Sequence, residues 1–244
     1  MRTVAHGATD VGQLRSNNED SFHRGETVWA VADGLGGHAA GEVASALAVQ
    51  HLAELEGADF DSQEDASAAL ADAVRAANRA VLADAEANRA HAGMGTTVTA
   101  AMLWRDMLVL AHVGDSRAYL LRPGERLRRL TTDHNAAEEA VQAGHITPEQ
   151  AARRPERHAL TRAVGLEPEV AVDSPEPLAL TPGDQVLLCS DGLTEVVGDD
   201  AISAILGRAE GPEAACRALI DETLAGGAPD NVTVVVVAAE ADQA

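Results

Sequence analysis

No lysine occurs among the 244 residues, and all 18 basic side chains other than histidine are arginines. This excludes a Walker-type phosphate lysine and any Schiff-base lysine chemistry. Aromatic residues amount to 2%, so a core must be assembled from Ala, Val and Leu. Cys189 and Cys216 are the only cysteines and fit no zinc or redox spacing. Neither opens a Cys-x5-Arg loop, because Glu195 and Glu222 stand where the arginine would be needed. Both read as packing residues in a reducing compartment. No apolar run approaches the ~20 residues of a membrane span, and the segment from Met1 to His6 has no apolar leader core. The expectation is therefore a cytoplasmic chain without a membrane span.

Positive charge is scarce as well. Asp and Glu number 39, for a formal net charge of −21, which argues against nucleic acid and anionic membrane as partners. Such an excess of acid makes either a solvated surface or a cluster of metal-binding carboxylates, and both can hold at once. The apolar fraction of 46% marks a globular protein. Its length suits one large domain or two small ones. With no internal repeat, low-complexity tract or clear linker, residues 1–244 read as a single domain.

The most informative stretch runs from Val31 to Ser45. An apolar run from Val28 to Ala32 ends in Asp33-Gly34, and Gly36, Gly37 and Gly41 follow before an amphipathic helix. A strand here delivers a carboxylate to its mouth, and glycines let the backbone approach something closely. One reading is a metal ion held by Asp33 and a nearby carbonyl. The other is a dinucleotide, since Gly34-x-Gly36-x-x-Ala39 matches the Rossmann fingerprint in its Gly/Ala form.

The following segments weigh against the dinucleotide. A helical pattern from Gly41 to about Leu55, with Val43, Leu47, Ala48, Leu52 and Leu55 on one face, is followed by a second helix. That helix opens at the capping signal Ser62-x-x-Asp65 and repeats through Leu70, Val74, Ala77 and Val81. Four short apolar runs with tight turns then predict an antiparallel meander over 96–103, 107–113, 117–121 and 126–130. Residues 133–160 are polar and Ala-rich, broken by Gly144 and Pro148, with Arg153, Arg154, Arg157 and His158 at their end. They read as an inserted flap of two short helices. A strand over 186–189 follows, then helices near 199–207 and 211–225, and a valine run from Val232 to Ala238 that must be buried on both faces.

Asp-Gly or Gly-Asp closes a strand at Asp33, Asp115 and Asp191, and Asp230 stands just before the last strand. One such site is an ordinary turn. Several suggest carboxylates converging on one edge of a β structure, where burial without cations would cost several kcal/mol each. Oxygen ligands without clustered His or Cys select Mg2+ or Mn2+ over zinc. Two such ions held close together are a common device for phosphate-ester hydrolysis. A surface turn is the plainer reading of Arg15–Asp20, Arg-Ser-Asn-Asn-Glu-Asp.

Seven motifs occur in one order: Arg15-x-x-Asn18-Glu19-Asp20, Val31-Ala32-Asp33-Gly34-x-Gly36-Gly37, Gly93-Met94-Gly95-Thr96-Thr97, Gly114-Asp115-Ser116-Arg117, Thr161-Arg162-Ala163-Val164-Gly165, Ser190-Asp191-Gly192-Leu193-Thr194-Glu195 and Asp230-Asn231. Together they resemble the metal-dependent serine/threonine protein phosphatases of type 2C, the PPM family, in compact bacterial form. The resemblance covers essentially the whole chain. It implies an α+β fold, a four-layer α/β/β/α sandwich with two central antiparallel β-sheets and a bimetal centre at one edge.

It also implies roles. Asp33 would bridge two Mn2+ or Mg2+ ions, with the Gly34 carbonyl and Glu19 on the second and Asp191 and Asp230 on the first. Asp115 and Asp191 would hold a weaker third ion. Asp20 would orient ligands or waters beside Asn231, and Arg15 would grip the substrate phosphate. The implied reaction is hydrolysis of phosphoserine and phosphothreonine in proteins by direct in-line attack of a bimetal-activated water, opposing a bacterial Ser/Thr kinase. The expected protein is a monomer whose partners are that kinase and its substrates.

Two departures stand out. Eukaryotic relatives carry histidine at the position of Leu35, so the leaving-group proton donor is open between a metal-bound water and His38. The flap start, Asn135-Ala136-Ala137-Glu138-Glu139, is poor in large apolar residues. The alternatives are a pseudophosphatase binding module, which would have lost metal ligands, and a narrow regulator of an anti-sigma-type partner, which would carry a sensory domain.

Overall fold

The computed structural model describes residues 1–36, 40–151 and 153–241. Gly37, His38 and Ala39 lie outside the described residues, and with them the end of the glycine fingerprint and one candidate proton donor. In chain order the elements are β1 (Arg2–Asp10), β2 (Ser21–Arg24), β3 (Val28–Ala32), β4 (Gly34–Leu35), α1 (Gly41–Ala53), α2 (Gln63–Ala87), β5 (Gly95–Thr96), β6 (Val98–Trp104), β7 (Met107–Val113), β8 (Arg117–Leu121), β9 (Arg128–Arg129), α3 (Ala136–Gln142), α4 (Pro148–Ala151), β10 (Leu178–Ala179), β11 (Gln185–Cys189), α5 (Asp191–Thr194), α6 (Asp199–Arg208), α7 (Pro212–Ala225) and β12 (Val232–Glu240).

The strands form two antiparallel five-stranded sheets, ordered β1-β12-β11-β8-β9 and β10-β7-β6-β3-β2, with a small β4-β5 pair at one end. Helices α1 and α2 cover the second sheet, and α6 and α7 cover the first. This is the four-layer sandwich expected. Central strands are buried on both faces and therefore read as unbroken apolar runs. In β12, Val232, Val234 and Val236 face the helices while Val235 and Val237 face the opposing sheet. In β3, Val28, Ala30 and Ala32 face α1 and α2, whereas Trp29 and Val31 enter the layer between the sheets. Trp29 is fully buried, and its indole N–H donates to the Gly25 carbonyl at 3.1 Å.

The predicted meander does not remain in one sheet. Strands β6 and β7 pair in one layer, and β8 and β9 belong to the other. The crossing falls at Gly114-Asp115-Ser116, where Gly114 adopts φ +111°. The buried face of α1 is also shifted from the expected one. Gly41, Ala44, Ser45, Ala48 and Leu52 are buried, while Val43, Leu47 and Leu55 pack at the margin. Small residues at the centre let the helix lie close to β2 and β3, and the larger ones fill the flanks. Strands β2 and β10 escaped the sequence reading because both are short edge strands, one of them inside a Pro-rich segment. The helix start at Ser62 is as expected: its side chain accepts from the Asp65 N–H at 3.1 Å.

Residues 136–151 and 153–158 leave the sandwich as α3, α4 and a 3-10 turn over Pro155–His158. A β-bridge between Asn135 and Leu160 closes the base of this excursion. Among the described residues, no helix is long and apolar enough to cross a membrane.

Candidate metal centre

Each acid is set at the mouth of a strand by backbone and hydroxyl contacts. Asp33 follows β3. Its N–H donates to Thr97 Oγ1 at 3.0 Å. Its carbonyl accepts from the Thr97 N–H and from Thr96 Oγ1, both at 2.8 Å. Thr97 Oγ1 also lies 2.7 Å from Ser116 Oγ. The threonine pair thus ties the Asp33 turn to the Asp115 turn, which explains why three separate motifs carry those residues.

Gly34 donates its N–H to the Glu19 carbonyl at 3.2 Å. A Cβ at Gly34 would lie 2.3 Å from the Gly41 carbonyl oxygen and 2.5 Å from that of Glu19. Only glycine fits between these backbones. Asn231 straps the N-terminal loop to β12. Its side-chain oxygen accepts from the Glu19 N–H at 2.8 Å, and its amide donates to the carbonyls of Val11 and Asn17, each at 2.9 Å. Glu19 and Asp230 are thereby fixed to one scaffold although they are far apart in sequence.

Asp191 opens α5 directly after β11 and Ser190. Ser190 Oγ donates to Asp20 Oδ2 at 2.8 Å and accepts from the Thr233 N–H at 2.9 Å. Asp20 Oδ1 and Asp191 Oδ1 are buried without a hydrogen-bond partner. Asp230 Oδ1 accepts from the Asn231 N–H at 2.8 Å, and its Oδ2 lies 2.6 Å from Arg15 Nη2.

These groups meet around a cavity of about 300 Å³. Arg15, Glu19, Asp33, Gly34, Asp115, Asp191, Asp230 and Asn231 all line it. Asp20 lies behind the wall, where it buttresses Ser190. Leu35 lines the cavity, as do three residues the sequence reading did not assign to the site: Gly36, His158 and Leu160. The only sequence signal for His158 was the basic cluster at the end of the insert. His158 Nδ1 is 2.8 Å from Glu195 Oε1, and Arg157 Nε donates to His158 Nε2 at 2.9 Å. No histidine was expected at the metal site. Yet His158, Asp191 and Glu195 each bring one ligand-type atom within 4.8 Å of the others.

Crowding shows in the electrostatics. Burial pushes Asp33 well above the usual carboxylate range, reinforced by the charges of Asp20, Asp191, Asp115 and Asp230. Asp191 is likewise raised well above it, by burial and then by Asp115, Glu195 and Asp230. Asp115 is pushed up to about 7, chiefly by burial and then by Asp133. Asp20 is raised to about 6 by burial, against hydrogen bonds from Thr233 and Ser190. Carboxylates that resist ionisation together, two with orphaned buried oxygens, form a donor set that divalent cations satisfy. The set is rich in oxygen, which suits Mg2+ or Mn2+.

The sequence profile described as Protein phosphatase 2C matches residues 13–224. The chain belongs to the protein phosphatase 2C family. Among curated relatives, the serine/threonine protein phosphatase PstP of Mycobacterium tuberculosis is 47% identical over 229 residues, covering 93% of this chain and 43% of PstP. This chain therefore spans less than half of that relative. The serine/threonine phosphatase stp of Listeria monocytogenes is 36% identical over 236 residues, covering 94% of this chain and 93% of stp. The crystal structure of the M. tuberculosis phosphatase PstP/Ppp superposes with a TM-score of 0.93 at 42% identity, covering 99% of this chain and 100% of the other. The PstP catalytic domain in complex with two manganese ions superposes with a TM-score of 0.89 at 41% identity, covering 98% and 99% of the two chains. At such identities the likeness extends beyond the fold to the family.

Proposed function

We propose that this chain is a metal-dependent phosphatase that hydrolyses phosphate monoesters on serine and threonine of proteins and so opposes a bacterial Ser/Thr kinase. The observation that carries the reading is the convergence of Glu19, Asp33, Asp115, Asp191 and Asp230 on one cavity with Arg15 at its lining. Residues 1–244 act as one phosphatase domain. Residues 133–160 form a flap beside the site, since His158 and Leu160 from its end reach the same cavity. Free buried thiols at Cys189 and Cys216 support work in a reducing cytoplasm.

In this reading Asp33 would help to hold each of two Mn2+ or Mg2+ ions. Asp191 and Asp230 would serve the first ion, Glu19 and the Gly34 carbonyl the second, and Asp115 with Asp191 a weaker third. The two manganese ions in the PstP catalytic domain support a two-ion centre of this kind. When bound, such ions acidify water and offset charge on the phosphoryl oxygens. The chain's own residues do the rest. Arg15, about half exposed, presents a planar fork suited to two phosphate oxygens. Asn231 accepts from the Glu19 N–H and Ser190 donates to Asp20, which holds both acids in place before substrate arrives.

The test is phosphate release from a phosphothreonine peptide. Turnover is expected with Mn2+, none with EDTA, and little from the matching phosphotyrosine peptide. Turnover that persists in EDTA removes the metal reading. Turnover confined to phosphotyrosine removes the substrate class.

A further inference from the structure

A second cavity of about 270 Å³ opens beside the first, and Leu160 lines both. The loop that walls it is bonded to the strand next to Asp33. Thr96 donates its N–H to the Val164 carbonyl at 2.9 Å and accepts from the Val164 N–H at 2.8 Å, and Thr96 pairs with Gly34. The floor is apolar, from Ala163 and Val170, and Leu166, 49% exposed, makes a wall. Glu167 and Glu169 add exposed carboxylates to the lining.

The formal charge of this lining is net negative, two carboxylates against one guanidinium. Arg162 also lines it, but its guanidinium is engaged by Asp173 Oδ1 at 2.6 Å and by the Ala171 carbonyl at 3.2 Å. Among the described residues, neither the Glu167 nor the Glu169 side chain has an ion-pair or hydrogen-bond partner. The cavity is also preformed. Asn78, buried on α2, donates to the Glu167 carbonyl at 2.9 Å and accepts from the Gly165 N–H at 2.7 Å. Gly165 itself sits at φ +90°, where a Cβ would lie 2.2 Å from Val81 Cγ1.

An apolar floor under two unpaired carboxylates fits a side chain with a long apolar stem and a cationic head. We propose that this cavity is a subsite for an arginine or lysine of the substrate protein, close in sequence to the phosphorylated serine or threonine. The proposal rests on the phosphatase reading above. The shared Leu160 makes the occupant part of the molecule whose phosphate enters the neighbouring cavity. Complementary charge across such a contact favours the right partner and disfavours acidic ones.

The experiment uses phosphothreonine peptides carrying arginine, its uncharged isostere citrulline, or glutamate at each flanking position in turn, with p-nitrophenyl phosphate as a substrate too small to reach the subsite. At one or more positions arginine should improve kcat/KM by about fivefold over citrulline, through KM, which is the scale of an exposed charge pair. The double variant Glu167→Gln/Glu169→Gln should erase that preference and leave p-nitrophenyl phosphate turnover unchanged. Leu166→Ala should weaken binding of the arginine and citrulline peptides alike. Equal rates for arginine and glutamate peptides at every position, or an arginine preference that survives in the double variant, overturns the subsite. Failure of wild type on p-nitrophenyl phosphate as well as on every peptide would instead strike the phosphatase reading itself.

Discussion

Arg15 Nη2 and Asp230 Oδ2 lie 2.6 Å apart, so the group proposed to hold the substrate phosphate leans on a group proposed to hold metal. One carboxylate oxygen cannot serve a guanidinium and a divalent ion equally well, and the two cations compete for it. Arg15→Ala is therefore expected to tighten Mn2+ binding by titration calorimetry while weakening phosphopeptide binding. Arg15→Lys keeps the charge but loses the fork, and kcat/KM on a phosphopeptide should fall about tenfold, the worth of one charge-assisted hydrogen bond of ~1.5 kcal/mol. Unchanged metal affinity in Arg15→Ala would show that the ion pair is a surface contact only.

The carboxylate cluster makes a second prediction, about stability. Its acids repel one another, so a bound cation should stabilise the fold by mass action, by about 2.7 kcal/mol at a hundredfold excess over Kd. Asp33→Asn removes the member raised by burial and by four neighbouring charges. That variant should melt higher than wild type in EDTA and gain little from Mn2+. Asp115→Ala, assigned only to the weaker third ion, should keep the larger part of the Mn2+ shift. Scanning calorimetry in EDTA and in millimolar Mn2+ decides both, and loss of the whole shift in Asp115→Ala contradicts the assignment.

Much of this was legible because the strand mouths are local. Asp33, Asp115, Asp191 and Asp230 each adjoin an apolar run, and the runs mark which carboxylates must share an edge. What sequence could not convey was through-space. The chain changes sheets at Gly114, a step that depends on which layer has room for β8. His158 lines the cavity where the Asn135–Leu160 bridge brings the insert's end back to its start. The strap at Asn231 binds Val11, Asn17 and Glu19, contacts that no local pattern encodes.

Away from the site, Glu56 offers a test of acid stability. Its carboxylate accepts from the Thr27 N–H at 2.7 Å, Thr27 Oγ1 at 2.8 Å and the Glu26 N–H at 3.0 Å, closing the turn between β2 and β3. Burial tends to raise its pKa, but the hydrogen bonds from Thr27, His23 and Glu26 outweigh it, and the net shift is downward. A carboxyl with a depressed folded pKa adds stability above its unfolded pKa, about 4.3, and loses it as pH falls through the folded value. In Glu56→Gln one carbonyl oxygen can still serve Thr27 and Glu26, but the new amide NH2 faces the Val28 N–H and His23 Nε2, which the second carboxylate oxygen met at 3.2 and 3.3 Å, and the change should cost about 1–3 kcal/mol at neutral pH. The difference in melting temperature between wild type and variant should close as pH drops below about 4. A gap constant with pH would mean that packing, not charge, holds the turn.

The last prediction concerns the departing alcohol. Leu35 lines the cavity and has no proton to give. His158 lines it too, but its Nε2 accepts from Arg157 and its Nδ1 faces Glu195 Oε1 at 2.8 Å, so both ring nitrogens are engaged. A serine or threonine alkoxide is a poor leaving group, whereas an aryl phosphate expels a stabilised phenolate. General acid catalysis is worth roughly 10²–10⁴-fold, and only for the ester that needs it. The rate should therefore fall steeply as leaving-group pKa rises across a series of phosphate esters. Leu35→His should flatten that slope by supplying a donor. His158→Ala should leave the slope unchanged, even where it alters KM. A steeper slope in His158→Ala would make His158 the proton donor and require its contact with Glu195 to break during turnover.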